Sequence, residues 1–286
     1  MPQTDSNTLD KIINRLGELP AAPVILDKAL KLTSDVQSDI NDISRNISAD
    51  QTLAAKVIRL SNSPLYGRIK RISSLNEAIR VLGFNQIKSI IITATTFQVF
   101  QSGTHTRIAN ILWEHSLATA LGARLIVQKF GCLDKEEAYL CGLLHDIGKL
   151  VLLKIIPHTY EKIIDQVKET NLPFIQVENK ELGFNHVDVG NKLLTQWDFP
   201  EDLASQIATH HSINPNQKSS SMSLAGVITI SNSVAKYIGA GFFEPYRAIG
   251  SVVYLGNKLI REDDIISLFN DTEEQFNFEL NTIYSQ

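Results

Sequence analysis

The 286-residue sequence contains only two cysteines, two methionines and two tryptophans. So few cysteines exclude a disulfide scaffold, and Cys132 and Cys141 are expected to be reduced thiols. No segment offers the roughly 20 apolar residues that a membrane span requires, and the first residues lack the basic start and apolar stretch of a signal peptide. We therefore expect a soluble, cytoplasmic protein that does not bind membranes.

Positive charge is scarce as well. The chain has 27 Lys and Arg residues against 31 Asp and Glu residues, a net charge of −4, so it lacks the basic field of a general nucleic-acid-binding protein. The densest basic cluster comprises Arg68, Lys70 and Arg71, with Arg59 and Tyr66 nearby. This cluster is either a solvated loop or a docking surface for an acidic or phosphorylated partner.

Apolar residues recur with helical spacing along most of the chain. The segments 25–32, 53–60 and 276–283 each carry them at i, i+4 and i+7. The segment 90–96 is rich in β-branched residues, which favour strands, but a helical apolar stripe runs through 87–97. An isolated strand among helices would also lack a pairing partner. The sequence therefore predicts an all-α protein built as a multi-helix bundle.

Several helix starts are marked by N-cap patterns. A side chain that can accept a hydrogen bond from the helix N-terminus is followed three residues later by an acidic or amide residue in Ser48–Gln51, Ser74–Glu77, Asp134–Glu137 and Asn185–Asp188. Gly83 lies where a left-handed residue would end the helix that begins after Ser74.

Two polar breaks divide the chain. The first, at 101–107, contains Gly103, and the second, at 214–221, contains Pro215 and three consecutive serines and is expected to be a flexible loop. We therefore expect an N-terminal helical subdomain at residues 8–100, packed on a central helical domain at 107–240. A C-terminal helical extension would occupy residues 241–286.

Five of the seven histidines lie in the predicted central domain. They are His115, His145, His186, His210 and His211, and Asp146 follows His145 directly. Histidine and carboxylate together form the ligand set of Zn, Fe or Mn, and successive helices of a bundle can supply such ligands. Alternatively, the carboxylate of Asp146 only hydrogen-bonds the imidazole of His145 and holds a helix end in place.

Two groups of sequence motifs resemble known families. The heptapeptide Leu-Leu-His-Asp-Ile-Gly-Lys at 143–149 resembles the signature of the HD superfamily of metal-dependent phosphohydrolases. The N-terminal half is similar to the HDOD branch of that superfamily in Leu-Pro at 19–20, Asn-Ser-Pro-Leu-Tyr-Gly at 62–67 and Ala-Ile-Arg-Val-Leu-Gly at 78–83. The similarity to this branch covers residues 13–212.

The resemblance implies a divalent metal ion, Fe, Mn or Zn, held by His115, His145, Asp146, His186, His210 and His211. It also implies catalytic roles for Asp146 and for Lys149, which would contact a phosphate. Lys149 can equally face the carbonyl dipoles of a helix end. The superfamily's final aspartate corresponds to Asn232, a neutral amide that binds a hard cation more weakly. Asn232 is expected to face the histidines.

Two functional hypotheses follow from the resemblance. In the first, the chain is a bacterial regulatory module of the HDOD type, with a regulatory protein as partner and a degenerate pocket that holds a metal ion. In the second, it is an active metal-dependent phosphohydrolase acting on a nucleotide or another phosphorylated small molecule. The Gly-Tyr-Pro motif of the cyclic-dinucleotide phosphodiesterases is missing after His211, where Ser-Ile-Asn-Pro follows at 212–215, and this disfavours that substrate class.

Overall fold

A computed structural model describes residues 40–63, 66, 71–100, 105–131, 133–240, 243 and 253–284. Several features predicted above lie outside these residues: the helix at 25–32, the beginning of the N-terminal subdomain, Arg68 and Lys70 of the basic cluster, the part of the first polar break at 101–104, and Cys132.

The described part of the chain is almost entirely helical, which confirms the all-α prediction. The helices are α1 (Ile40–Ser48), α2 (Gln51–Ser61), α3 (Leu75–Leu82), α4 (Phe84–Phe100), α5 (Thr106–Phe130), α6 (Lys135–Leu144), α7 (Ile147–Ile155), α8 (Pro157–Thr170), α9 (Phe174–Leu182), α10 (His186–Gln196), α11 (Glu201–Ala208), a short 3-10 helix (His210–Ser212), α12 (Leu224–Tyr237) and α13 (Glu262–Tyr284). Within the described ranges, the strands are limited to β1 (Val253–Leu255) and β2 (Lys258–Ile260), which pair antiparallel.

Most of the predicted helix starts are confirmed. The Ser74 side chain accepts from the backbone N–H of Glu77, Asp134 accepts from the first turn of α6, and Asn185 forms a capping box with Asp188. The prediction at Ser48 is wrong, because Ser48 ends α1 and the Asp50 carboxylate caps α2 by accepting from the N–H of Leu53 at 3.0 Å. The charged oxygen of Asp50 also interacts favourably with the positive end of the helix dipole.

The β-branched segment at 90–96 lies within α4, so the prediction from periodicity is confirmed. Two threonine hydroxyls in this helix donate to backbone carbonyls one turn earlier, from Thr93 to Ser89 at 2.8 Å and from Thr96 to Ile92 at 2.8 Å. These bonds satisfy polar groups that would otherwise be buried alone. Gly83, with φ of +83°, separates α3 from α4 as predicted.

The chain forms two compact units. The smaller one comprises the described residues of 20–102 together with 273–284, and the larger one comprises the described residues of 103–272. Helix α13 therefore contributes its first half to the larger unit and its second half to the smaller one. Of the segment 241–286, predicted to be a C-terminal extension, residues 253–272 thus belong to the larger unit and residues 273–284 to the smaller one.

The smaller unit has its own apolar core. Buried side chains from α1 to α4 form one cluster that includes Ile43, Leu53, Ile79 and Ile90, and Ile283 of α13 packs against it. This burial explains the helical periodicity of the segments 53–60 and 276–283.

The larger unit is organised around α5, which packs against α6 and α12, while α7 packs against α10. Glycines allow some of these helices to approach closely: a Cβ atom on Gly142 would lie 2.8 Å from the Cα of Ala120, at the contact between α6 and α5. The loop at 214–221, expected to be flexible, is bonded to the hairpin, since Tyr254 donates its N–H to Pro215 at 2.7 Å and Ser219 donates to Gly256 at 3.0 Å. Among the described helices, none combines the length and apolar character that crossing a bilayer requires.

Candidate metal centre

Four helix ends and one mid-helix position of the larger unit supply the predicted ligands. His115 lies in the middle of α5, His145 caps the end of α6, Asp146 precedes α7, His186 begins α10, and His210 follows α11 in the 3-10 helix. All five side chains are buried. The Asp146 side chain forms no cap hydrogen bond with α7, and this leaves its carboxylate directed at the histidines.

Asp146 is the common neighbour of the cluster. Its Oδ2 atom lies 2.7 Å from the Nζ of Lys149, 3.2 Å from the Nε2 of His145 and 3.7 Å from the Nε2 of His115. Its Oδ1 atom lies 3.2 Å from the Nε2 of His186. The structure therefore brings His115, His145, His186 and Lys149 together around one carboxylate.

Three of the histidines direct the same ring nitrogen at the cluster. Their outer nitrogens bond to backbone carbonyls: His115 Nδ1 to Ala240 at 3.0 Å, His145 Nδ1 to Gly142 at 2.8 Å and His210 Nδ1 to Ile207 at 2.6 Å. A carbonyl oxygen can only accept, so Nδ1 carries the proton and the neutral ring has its lone pair on Nε2. A metal ligand needs this tautomer and this kind of support.

Some of the inward atoms are unsatisfied. His145 Nε2 and His210 Nε2 are buried and have no hydrogen-bond partner among the described residues. Leaving a buried polar atom without a partner costs about 1–3 kcal/mol. His145 and His210 each belong to a set of donor atoms that includes Asp146, and a cation bound in each set would satisfy these lone pairs.

His186 is supported by a residue that sequence analysis missed, Glu178. The Oε2 atom of Glu178 lies 2.5 Å from His186 Nδ1 and accepts from the His186 backbone N–H at 2.9 Å, while Oε1 accepts from the Tyr160 hydroxyl at 2.7 Å. Glu178 is fully buried. Its position could have been found, because Phe174, Val177 and Glu178 have the i, i+3, i+4 spacing of a buried helix face.

His211 and Lys149 complete the surroundings of the cluster. His211 is less buried than the other four, and its Nε2 lies 3.0 Å from that of His186. The ammonium of Lys149 is buried, bonds to Asp146 and lies 4.4 Å from the ring centre of Phe174. Lys149 therefore faces the cluster. Its partner, Asp146, is the N-cap residue of α7, the helix that contains Lys149.

Asn232 is buried on α12, and its Oδ1 has no hydrogen-bond partner within the described ranges. Its neighbours tie this helix to the ligand-bearing elements. Thr229, one turn earlier, donates its hydroxyl to the backbone carbonyl of His210 at 2.6 Å, and Ser231 donates to the carbonyl of Thr119 on α5.

Burial and charge together set the protonation of the cluster. Burial lowers the pKa of His115 to about 3 and moves the pKa values of His210 and His211 in the same direction, so these rings are neutral at physiological pH. Burial opposes the ionisation of Asp146, but His145 and Lys149 hold the pKa of its carboxyl well below the usual range. Neutral imidazoles and an ionised carboxylate are the forms that bind metal ions.

In the pair formed by His186 and Glu178, the opposite charges set the direction of the pKa shifts, and burial does not. Burial alone would lower the pKa of His186, but the Glu178 carboxylate raises it to about 9. Burial would raise the pKa of Glu178, and the adjacent imidazolium lowers it instead. In the metal-free protein the two groups thus form a buried ion pair.

The donor atoms form two overlapping sets. Asp146, His186, His210 and His211 make up one, and His115, His145 and Asp146 make up the other, with the ligand atoms of each set within 4.8 Å of one another. Nitrogen and carboxylate oxygen donors suit Zn, Fe and Mn. The residues present therefore fit a divalent transition metal ion.

The chain is similar in sequence to known proteins. Residues 19–213 match the HDOD domain family. A protein of Treponema pallidum (strain Nichols), itself uncharacterized, is 24% identical over 230 residues, which cover 79% of this chain and 44% of the relative. The chain thus spans less than half the length of that relative.

Solved structures share the fold. An HDOD domain protein of unknown function from Geobacter sulfurreducens has a TM-score of 0.70 at 23% identity, over 97% of this chain and 95% of its own. A protein from Shewanella amazonensis SB2B, provisionally named a phosphohydrolase, has a TM-score of 0.66 at 20% identity, over 96% and 99%. One from Marinobacter aquaeolei VT8, provisionally named a signal transduction protein, has a TM-score of 0.73 at 19% identity, over 99% and 66%.

Proposed function

The chain belongs to the HDOD family, and from this premise we propose that it is a bacterial signal-transduction module whose His/Asp cluster binds a divalent metal ion. The module acts in the cytoplasm and transmits its state to a regulatory protein partner. Its metal ligands are His115, His145, Asp146, His186, His210 and His211, with Asn232 as a weak oxygen donor.

The buried lone pairs carry this proposal. His145 Nε2 and His210 Nε2 are buried beside the Asp146 carboxylate without hydrogen-bond partners in the described part of the chain. A core kept only for packing would satisfy these atoms with internal hydrogen bonds, since unsatisfied buried polar groups are rare. A cation bound on the Nε2 side of the rings would remove the free-energy cost of leaving these buried nitrogen atoms without partners.

Two features favour a regulatory role over rapid catalysis. Asn232 offers a neutral amide oxygen where the superfamily has a carboxylate, and such a ligand holds a hard cation less strongly. The ammonium of Lys149 is already bonded to Asp146 at 2.7 Å, so its charge is largely offset before any phosphate arrives. These two residues make the pocket better suited to holding an ion than to turning over a phosphoester.

Metal analysis of the freshly purified protein tests the proposal. We expect near-stoichiometric Fe, Mn or Zn by elemental analysis in the wild-type protein and loss of that metal in Asp146→Ala. His158→Ala serves as the control, because His158 is exposed and contacts Glu161 and His105, neither of which belongs to the cluster. Wild-type protein that contains no metal and gains no thermal stability from Mn, Fe or Zn would refute the metal-binding role.

A phosphohydrolase is the second candidate function, favoured by the position of Lys149, a buried cation within the ligand cluster. A bound metal ion would supply a water molecule of lowered pKa as nucleophile. The residues of this chain would orient a phosphorylated small molecule or nucleotide, with Lys149 leaving Asp146 to contact the phosphoryl oxygens. Assays of nucleotides and model phosphodiesters with Mn, Fe and Zn separately test this role, and inactivity with every metal would exclude it.

Capture from a lysate tests whether the protein binds a regulatory partner. A tagged form of this chain should capture a defined regulatory protein from a bacterial lysate. If no protein is captured under several growth conditions while the pure protein hydrolyses a phosphoester rapidly, the enzymatic role replaces the regulatory one.

A further inference from the structure

We propose that Glu178 is a positioning residue that holds the His186 ring so that Nε2, and not Nδ1, is presented to the metal site. The inference rests on the proposed metal-binding function. It is carried by three donors that converge on one fully buried carboxylate: the Nδ1–H and the backbone N–H of His186, and the hydroxyl of Tyr160.

The two contacts of Oε2 with His186 fix the residue in two ways. The bond to the backbone N–H holds the start of α10 against α9, and the bond to Nδ1 fixes the rotation of the ring about its side-chain torsions. Because Nδ1 keeps its proton in the bond to the carboxylate, Nε2 is the nitrogen left for a metal ion. Nε2 lies 3.2 Å from Asp146 Oδ1, at the centre of the cluster.

Glu178 acts through His186 and is not itself a ligand. Its Oε2 is engaged by His186 and its Oε1 by the Tyr160 hydroxyl, so both carboxylate oxygens already have partners. Neither of the two sets of converging donor atoms includes it. Its effect on the metal must therefore pass through the orientation and basicity of one imidazole.

Local structure places Glu178 for this task. Helix α9 ends at Leu182 and is capped by Gly183, whose φ of +79° is left-handed, and Asn185 then caps the start of α10 with a capping box. This tight connection brings Glu178, one turn before the end of α9, next to His186, the first residue of α10. Tyr160 of α8 stacks on Phe174, which belongs to α9 like Glu178, with ring centres 6.3 Å apart. This contact keeps the Tyr160 hydroxyl beside Oε1 of Glu178.

The test compares Glu178→Gln with Glu181→Gln, the same substitution at an exposed position of the same helix. Glutamine has the length of glutamate but a neutral head group with only one acceptor oxygen. We expect Zn²⁺ affinity, measured by competition with a chromophoric chelator, to fall by about 10–100-fold in Glu178→Gln and to stay unchanged in Glu181→Gln. The visible absorption of the Co²⁺-loaded protein should shift only in Glu178→Gln, which a loss of fold stability alone would not cause.

A second measurement needs no variant. Nitrogen chemical shifts of the histidine rings in metal-loaded wild-type protein should show His186 with its proton on Nδ1 and the metal on Nε2. A proton on Nε2, or Zn²⁺ affinity and Co²⁺ absorption in Glu178→Gln equal to those of the wild type, would overturn the role of Glu178 while leaving metal binding intact. Wild-type protein that binds neither Zn²⁺ nor Co²⁺ would instead refute the proposed function on which this inference rests.

Discussion

The backbone carbonyl of His186 occupies the space into which a side chain on Gly148 would extend. A Cβ atom at Gly148 would overlap that carbonyl oxygen and would also lie 2.9 Å from the backbone nitrogen of Gly190. The absence of a side chain therefore lets α10 meet α7 at backbone distance. This contact brings His186, at the start of α10, within reach of Asp146, just before the start of α7.

We predict that Gly148→Ala separates these two helices and pulls His186 away from Asp146. Overpacking of this kind costs about 1–3 kcal/mol or more, because backbone atoms cannot move aside cheaply. Chemical denaturation should show a lower free energy of unfolding, and the variant should bind less metal than the wild type. Gly190→Ala is the matched control, since its Cβ would come no closer than 3.4 Å to its neighbours. Equal losses in both variants would contradict this explanation.

Removal of the metal should lower the melting temperature. A ligand that binds only the folded state at 100 times its dissociation constant stabilises that state by about 2.7 kcal/mol. Dialysis against a chelator should therefore lower the melting temperature, and added Mn, Fe or Zn should restore it. His105→Ala should respond like the wild type, because His105 pairs with Glu161 at 2.7 Å and not with the cluster. A melting temperature that the chelator leaves unchanged would argue for a metal-free, hydrogen-bonded core.

The helices could be predicted because their information is local. The stripe through 87–97 outweighs the β-branched residues of α4, since Ile87, Ile90, Ile91 and Ala94 of that stripe lie in the core of the smaller unit. The cluster could be predicted only as a set of residue types and a resemblance to known motifs. The approach of α7 to α10 at Gly148, and the bond between Glu178 and His186, depend on tertiary packing that spacing does not encode.

The loop at 214–221 shows that residue composition does not predict which contacts a loop makes. Its serines and Pro215 are typical of a flexible loop, yet its backbone bonds to a hairpin whose strands are separated from it by more than thirty residues. The short β1 and β2 strands have no strong alternating pattern, so neither the hairpin nor its contact with the loop could be inferred from the sequence.

The start of α2 provides a test on stability alone. Asp50 accepts from the Leu53 N–H, whereas Ser48 is exposed at the end of α1. We expect Asp50→Ala to destabilise the protein by about 1 kcal/mol, the usual effect of removing an N-cap side chain, and Ser48→Ala to change stability by less than about 0.5 kcal/mol. Thermal unfolding of both variants decides between the two cap positions, and a larger effect at Ser48 would restore the original prediction.

The Asn232→Asp variant distinguishes most directly between a metal site that includes residue 232 and a metal-free core. The Asn232 side chain is 8% exposed and its Oδ1 has no partner within the described residues. If Oδ1 faces a metal ion, aspartate replaces a neutral oxygen with a charged one, and both Mn affinity and the melting temperature in the presence of Mn should rise. A weak phosphohydrolase activity would then be expected as well.

In a metal-free core the same substitution buries a carboxylate without a counterion and should destabilise the fold by about 1–3 kcal/mol or more. Melting curves of the wild type and Asn232→Asp, each with and without Mn, distinguish these outcomes, because only a ligand role makes the stability difference between the two proteins change sign when Mn is added. A variant that is less stable in both conditions would exclude Asn232 from the metal site.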